Sequence, residues 1–284
     1  MTKKTNEITY KLPTVKDLFS AGVHFGHQVR RWHPSMEPYI FTVKGGIHII
    51  DLAQTETLLK DACDFLFSVA KDGKKVIFVG TKRQFKDIVE LEAKRCGAFH
   101  VTERWLGGTI SNFSIIKKNV DKLVDYMKGM EDGSFEKYTK KERLLIDRDI
   151  KKLKLKVGGL LGMDSIPAAV FVIDPRREKT AVREAHRAGI PVVSLIDTNS
   201  NVTDVDYPIP GNDDAIKSAA LVVRCVADAI ESGYKVFSEG LKEGEKEKES
   251  VAKKPVEKKV VEVAKKPAAK KKPAAKKLVA KKSK

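Results

Sequence analysis

The stretch from Pro167 to Asp213, PAAVFVIDPRREKTAVREAHRAGIPVVSLIDTNSNVTDVDYPIPGND, constrains the fold more than any other part of this chain. Ala168 to Ile173 is a short apolar run rich in β-branched residues, stopped by Asp174-Pro175. Proline supplies no ladder donor and restricts the residue before it, so a strand ends there. Arg177 to Arg187 follows as a polar helical segment, with Ala181, Val182, Ala185 and Ala188 at three- and four-residue spacings. Gly189 stops it, and Ile190 to Ile196 is a second apolar run. Two buried strands joined by one helix through short connections form a parallel βαβ unit with a right-handed crossover. The centre is therefore an open α/β sheet covered by helices.

The rest of the chain extends that sheet. Thr14-Val15-Lys16-Asp17 is a capping box opening a short helix through Ala21. Gly22 to Phe41 has no clean period, two prolines, three histidines and a basic pair beside a tryptophan. Specific contacts must hold such a segment, because regular pairing does not satisfy its backbone. Ile47 to Ile50 reads as a strand, Leu52 to Ala70 as an amphipathic helix, Lys75 to Val79 as a strand, Lys82 to Cys96 as a helix and Phe99 to Val101 as a strand. This alternation predicts an α/β fold with a doubly wound, mostly parallel sheet.

An insertion, residues 110–157, interrupts it. Phe113, Ile116, Val120, Leu123, Met127 and Met130 recur at spacings of three and four, a narrow seam of period 3.5. After a turn at Asp132-Gly133-Ser134, a second capping box at Thr139 and Glu142 opens a helix with a matching seam at Ile146, Ile150, Leu153 and Val157. Facing seams predict an antiparallel coiled-coil hairpin with arms about 27 Å long, projecting rather than lying flat. The pair Gly107-Gly108 and the cluster Gly158-Gly159-Leu160-Leu161-Gly162 at its two roots read as hinges. Asp214 to Tyr234 is a last amphipathic helix, completing an α/β domain over residues 1–237.

Of the net charge of +17, the segment from Lys253 to Lys284 carries +12, with 14 Lys against 2 Glu. The body is mildly basic. The tail, residues 238–284, is low in large apolar residues and repels itself, which predicts disorder until it meets a polyanion. Cys63, Cys96 and Cys225 have no metal-ligand spacing and read as buried thiols in a reducing cytosol. No apolar signal core or membrane-length run occurs, so a soluble cytoplasmic protein is expected, with no membrane partner.

An enzymatic reading rests on Asp51, Asp174 and Asp197, each after a strand, where Mg²⁺ would serve phosphoryl transfer. Asp51-Leu52-Ala53-Gln54-Thr55 is close to the D-x-D-x-T of aspartyl-phosphate hydrolases, but Ala53 replaces the acid/base. Helix caps and turn contacts explain these aspartates better. Phosphate-binding glycine loops and a nucleophile elbow are missing from the sequence. His24, His27 and His33 read as packing residues rather than a metal centre, so no catalytic residue, metal, cofactor or small-molecule substrate is expected.

Features suited to RNA are more numerous. Arg30, Arg31 and Trp32, and again Arg104 and Trp105, set guanidinium beside indole, able to contact phosphate and stack on bases. Lys82 and Arg83 start a predicted helix whose free amides favour phosphate. Thr109 and Asn112 offer small donors, and Lys44, Lys117 and Lys118 add cations.

GVHFGHQVRRWHPSMEPYIFTVKGGIHIIDL, RWLGGTISNF, FVIDPRREKTAVREAHRAGIPVVSLIDTN and DYPIPGNDDAI are similar to the signature segments of the family of bacterial small-ribosomal-subunit protein two, the S-two family. The resemblance runs from about Thr14 to Val236. It implies a flavodoxin-like domain with an inserted helical hairpin, and a structural role binding 16S rRNA near the head–body junction. The other small-subunit proteins are implied partners, among them the large mRNA-binding protein S-one, whose docking it would assist. It places RNA contacts at Arg30, Arg31, Trp32, Lys82, Arg83, Arg104, Asn112 and the hairpin lysines. The tail lies outside the resemblance; the segment before the central strand, KLKLKVGGLLGMDSIPAA, departs from it in being more basic and apolar. A free-standing nucleic-acid-binding regulator is the reading that the tail alone supports. If the tail supplies sequence-independent phosphate affinity, deleting residues 241–284 flattens the salt dependence of RNA binding and leaves the fold intact. Filter binding across a salt series checks this, and an unchanged slope contradicts it.

Overall fold

A computed structural model describes residues 10–252, with side chains through residue 240. In chain order the helices are α1 (Val15–Ser20), α2 (Leu52–Lys71), α3 (Lys86–Cys96), α4 (Phe113–Glu131), α5 (Lys140–Val157), α6 (Lys179–Arg187) and α7 (Ile216–Ala252). The strands are β1 (Phe25–Gln28), β2 (Ile40–Lys44), β3 (Ile47–Ile50), β4 (Val76–Val79), β5 (Phe99–Val101), β6 (Ala169–Ile173), β7 (Val192–Ile196) and β8 (Tyr207–Pro210).

Five strands form one parallel sheet in the order β5-β4-β6-β7-β8. The chain starts in β4, steps outward to β5, then crosses back to β6 on the other side. This reversal makes the sheet doubly wound and opens a crevice beyond the carboxyl ends of β4 and β6. Alternate residues face opposite layers. Val76 and Phe78 join Phe171, Leu195 and Ile209 beneath α2, α3 and α7, in a core with Leu59, Leu66, Val89, Val226 and Ile230. Ile77 and Val79 join Val170, Val172 and Ile196 on the other face, with Ala181, Val182 and Ala185 from α6. Strands buried on both faces read as continuous apolar runs, which explains the strength of that signal in the sequence.

β3 departs from expectation. It pairs antiparallel with β1 and β2 in a separate three-stranded sheet and takes no place in the parallel one. The irregular segment 22–41 supplies its partners. β8 has no counterpart among the expected strands, since Pro208 and Pro210 argue against one. It lies at the sheet edge, where one side needs no ladder donors. The helix expected from Lys82 begins only at Lys86, and residues 83–85 form a turn.

Both capping boxes are present, Thr14 with Asp17 and Thr139 with Glu142. The insertion is a helical hairpin whose root and tip differ. Ile116, Val120, Leu123 and Val157 are buried in the α6-side core, whereas Met130, Leu144 and Leu145 are about half exposed. The expected hinges are anchors. Glu184 of α6 accepts the Gly108 and Ile110 amides at 2.7 and 3.2 Å. At Gly159 a Cβ would lie 2.1 Å from the His100 carbonyl oxygen, so only glycine lets the second root close on β5. The three cysteines are buried, with Cys63 Sγ 3.7 Å from Cys225 Sγ.

The last helix continues past Tyr234 to Ala252, over the first residues of the expected tail, and residues 253–284 lie outside the described residues. Among the described residues no helix is long and apolar enough to cross a membrane.

Candidate nucleic-acid interface

The carboxyl edge of the parallel sheet gathers most of the polar chemistry of the molecule. Each strand there hands its chain to a loop: Gly80-Thr81-Lys82-Arg83 after β4, Asp174-Pro175-Arg176-Arg177 after β6, Asp197-Thr198-Asn199 after β7 and Gly211-Asn212-Asp213-Asp214 after β8. Lys82 Nζ sits 2.9 Å from Asp174 Oδ2, 2.9 Å from Asp213 Oδ1 and 3.0 Å from Asp214 Oδ1, with only 12% of its side chain exposed. Burial works to lower the Lys82 pKa, but Asp213 and Asp174 override it and raise it. Asp174 takes a left-handed backbone (φ 62°), a costly conformation for a residue with a Cβ. Its Oδ1 accepts the Arg177 amide while Oδ2 meets the lysine. Beside them Thr81 donates to the buried Glu178, and Arg177 Nε lies 3.1 Å from Thr81 Oγ1.

The other half of the cluster fastens the N-terminal segment. His27 Nδ1 is 3.0 Å from Asp197 Oδ2, and its Nε2 is 3.3 Å from Asp214 Oδ2. Asp197 raises the pKa of this imidazole against the opposing effect of burial. Thr198 accepts the His27 amide at 2.8 Å, and its own carbonyl accepts the His33 amide at 2.8 Å. Ser35 Oγ accepts the Val202 amide, and Val23 O accepts that of Asn212. At Gly26 a Cβ would come within 2.7 Å of Thr198 Cγ2, so this glycine lets the segment seat against the β7 loop. These contacts answer the question of how an aperiodic segment satisfies its backbone.

The aspartates of the enzymatic reading do not converge as a set. Asp51 caps α2, accepting the Ala53 amide at 3.0 Å and binding the Gln54 side chain. Asp174 is taken by Lys82 and Asp197 by His27 and Thr198. The carboxylate that does join them is Asp213, which sequence reasoning missed. It is fully buried, and burial together with Asp174 and Asp197 pushes its pKa up to about 7 despite Lys82.

The residues expected to meet RNA divide by exposure. Lys82 is spent inside the ion cluster, and neither Trp105 nor Thr109, 5% and 1% exposed, has a surface to offer a base or phosphate. Trp105 is a core residue between the hairpin and the sheet. Arg30, Arg31, Lys44, Arg83, Arg104, Asn112 and Lys118 are exposed. Among the described residues none of the six cations in that set pairs with a carboxylate, whereas Arg95 is consumed by Glu92, Asp228 and Glu231. Lys117 is partly engaged, 3.3 Å from Asp164.

Arg83 and Arg104 follow the carboxyl ends of β4 and β5, so parallel strands bring them to one edge. At that edge Arg31, Trp32 and His33 line a polar groove of about 390 Å³ with Arg176, Lys179 and Asn199. Trp32 is half-buried against His48, its ring centroid 5.4 Å away at 40°, which fixes one face of the indole beside the groove. Sequence reasoning missed Arg176 and Lys179, because DPRREK reads only as the start of a helix. Lys44 stands apart at the end of β2, and Asn112, Lys117 and Lys118 at the hairpin root.

Replacing Lys82 by Met leaves Asp174 and Asp213 as buried charges without a counterion, and breaking such a pair typically costs about 3–5 kcal/mol. Lys82→Met should therefore lower unfolding stability by that order in denaturant titrations. A loss under about 1 kcal/mol would show that the cluster carries no such strain.

The family model described as Ribosomal protein S2 matches residues 18–233. The small ribosomal subunit protein uS2 of Geotalea uraniireducens is 50% identical over 220 residues, covering 78% of this chain and 86% of the relative. That of Maridesulfovibrio salexigens is 49% identical over 220 residues, covering 78% and 85%. That of Treponema pallidum subsp. pallidum is 47% identical over 229 residues, covering 79% of each chain.

Proposed function

We infer the function in detail from a plain premise: the chain belongs to the ribosomal protein S2 family. Proteins of this kind are structural parts of the small ribosomal subunit, at work in translation and without catalytic activity, and this chain is one of them. Its place is the ribosome in the cytoplasm. Beyond that, we propose that it binds 16S rRNA near the head–body junction through the arginine-bearing rim at the carboxyl edge of its sheet. The observation that carries the reading is the division of charge at that edge. The carboxylates are turned inward and neutralised on Lys82 and His27, while Arg30, Arg31, Arg83, Arg104 and Arg176 face out without carboxylate partners among the described residues. Guanidinium groups contact phosphates bidentately, and a half-exposed indole beside them gives a base a stacking surface.

In this proposal Arg31, Trp32, Arg176 and Lys179 form the first contact groove, and Asn112, Lys117 and Lys118 extend it along the hairpin root. The distal hairpin acts as a coiled-coil arm toward RNA or a neighbouring subunit protein, supported by its capped second helix and its exposed apolar tip residues. Assistance in docking the large mRNA-binding protein S-one belongs to the same proposal and rests on the family alone.

Arg30→Glu combined with Arg31→Glu should weaken binding to small-subunit particles depleted of this protein. Each phosphate contact contributes roughly 0.7–0.9 to the slope of log K against log salt, so the double variant should lose about 1.5 in slope. Co-sedimentation in sucrose gradients over a salt series reads this, with an unchanged melting temperature as the folding control. Wild-type affinity and slope in the variant would contradict the proposal.

A further inference from the structure

We propose that His27, Asp197 and Asp213 hold one divalent cation, with Zn²⁺ the ion that their donor set fits. This inference is independent of RNA binding. Each residue offers one ligand atom, and the three atoms lie within 4.8 Å of one another. Bonds of about 2.0–2.2 Å to a shared ion set ligand atoms about 3.5 Å apart, so small side-chain rotations close the gap.

A second observation points to a ligand. Asp213 is completely buried, its Oδ1 is taken by Lys82 at 2.9 Å, and its Oδ2 has no hydrogen-bond partner. A buried carboxylate oxygen facing nothing is expensive, and native interiors rarely tolerate one without an ion or a bonded group. His27 Nδ1 is also without an aligned hydrogen bond, though it lies 3.0 Å from Asp197 Oδ2. The far side of the ring is arranged as a metal-bound imidazole requires. Nε2 is 3.3 Å from Asp214 Oδ2 and 3.0 Å from the Asn199 side-chain amide. A proton on Nε2 donates to that carboxylate once the amide is turned to present its oxygen, and Nδ1 is then bare toward the other two ligands.

Charge leads to the same place. Asp174, Asp213 and Asp214 converge on Lys82, and Asp197 meets His27, so four carboxylates face one lysine and one imidazole, an excess of negative charge that a divalent ion offsets. One imidazole nitrogen and two carboxylate oxygens suit Zn²⁺, with water as a fourth ligand, better than Mg²⁺, which prefers oxygen throughout. The H-x-x-H spacing of His24 and His27 plays no part. His24 stacks on Phe19 with ring centroids 4.4 Å apart. The ligands come from the N-terminal segment, the β7 loop and the β8 loop, so the ion is a structural cross-link between them.

The test uses the full chain, stripped with a chelator and dialysed. Titration with Zn²⁺ should give one equivalent bound by elemental analysis and a rise in melting temperature. Asp213→Asn and His27→Gln should each weaken Zn²⁺ at least about tenfold. Co²⁺ bound to the unmutated protein should show d–d absorption of an N/O site without thiolate charge-transfer bands, a readout that needs no variant to fold. Failure of the stripped chain to take up one equivalent overturns the proposal. So does undiminished uptake in Asp213→Asn, a thiolate spectrum, or Mg²⁺ raising the melting temperature as much as Zn²⁺ at equal concentration.

Discussion

Buried negative charge at the carboxyl edge is the constraint on which the rest of this structure depends. Parallel strands all end on one side, so the loops after β4, β6, β7 and β8 deliver their first residues to the same place. Here those residues are Lys82, Asp174, Asp197 and Asp213, each withdrawn from water. Such a set persists only if its charges meet one another with good geometry, because desolvation otherwise exceeds the Coulombic return. Lys82 and His27 provide that compensation from two directions: one from the loop after β4, the other from the segment before the parallel sheet begins.

Open α/β sheets generally hold ligands in the crevice outside their strand ends. In this protein the chain's own N-terminal segment occupies that side, hydrogen-bonded to the β7 and β8 loops through Thr198, Val202 and Asn212. The acidic residues that a nucleotide enzyme would aim at a metal–phosphate complex are turned to internal ties, and Asp51 is removed from the group altogether by capping α2. What remains at the rim is guanidinium and indole. A fold built to grip small ligands thereby becomes a rigid platform with a basic border.

The parallel sheet was legible in the sequence because its strands are buried on both faces and bounded by Gly, Pro and Asp, as at Val170 to Asp174. Both capping boxes were legible for a local reason: Thr14 and Thr139 bond groups three residues away. The misses have non-local causes. β8 exists because Val192 to Ile196 offers it an edge, which no property of Tyr-Pro-Ile-Pro reveals. Ile47 to Ile50 has strand character, but only pairing with Phe25–Gln28 and Ile40–Lys44 decides which sheet it joins. Lys82 and Trp105 looked like surface RNA contacts because one sequence cannot distinguish a cation facing solvent from one facing Asp213, more than a hundred positions away. Asp213 escaped notice for the same reason. The exposure of Arg30, Arg31, Arg83 and Arg104 was legible because loops that follow strands or lack period seldom bury guanidinium.

Hydrogen exchange on the full chain, comparing the unmutated protein with His27→Ala, tests the clamp most directly. If His27 ties the N-terminal sheet to the strand-end cluster, amides of β1 and β3 and of Gly211 to Asp213 lose protection together by about tenfold or more, equivalent to about 1.4 kcal/mol. Those of Val76 to Val79 keep theirs. Protection unchanged in both segments, or lost uniformly across the whole sheet, would contradict a clamp and leave the carboxyl edge without the role assigned to it.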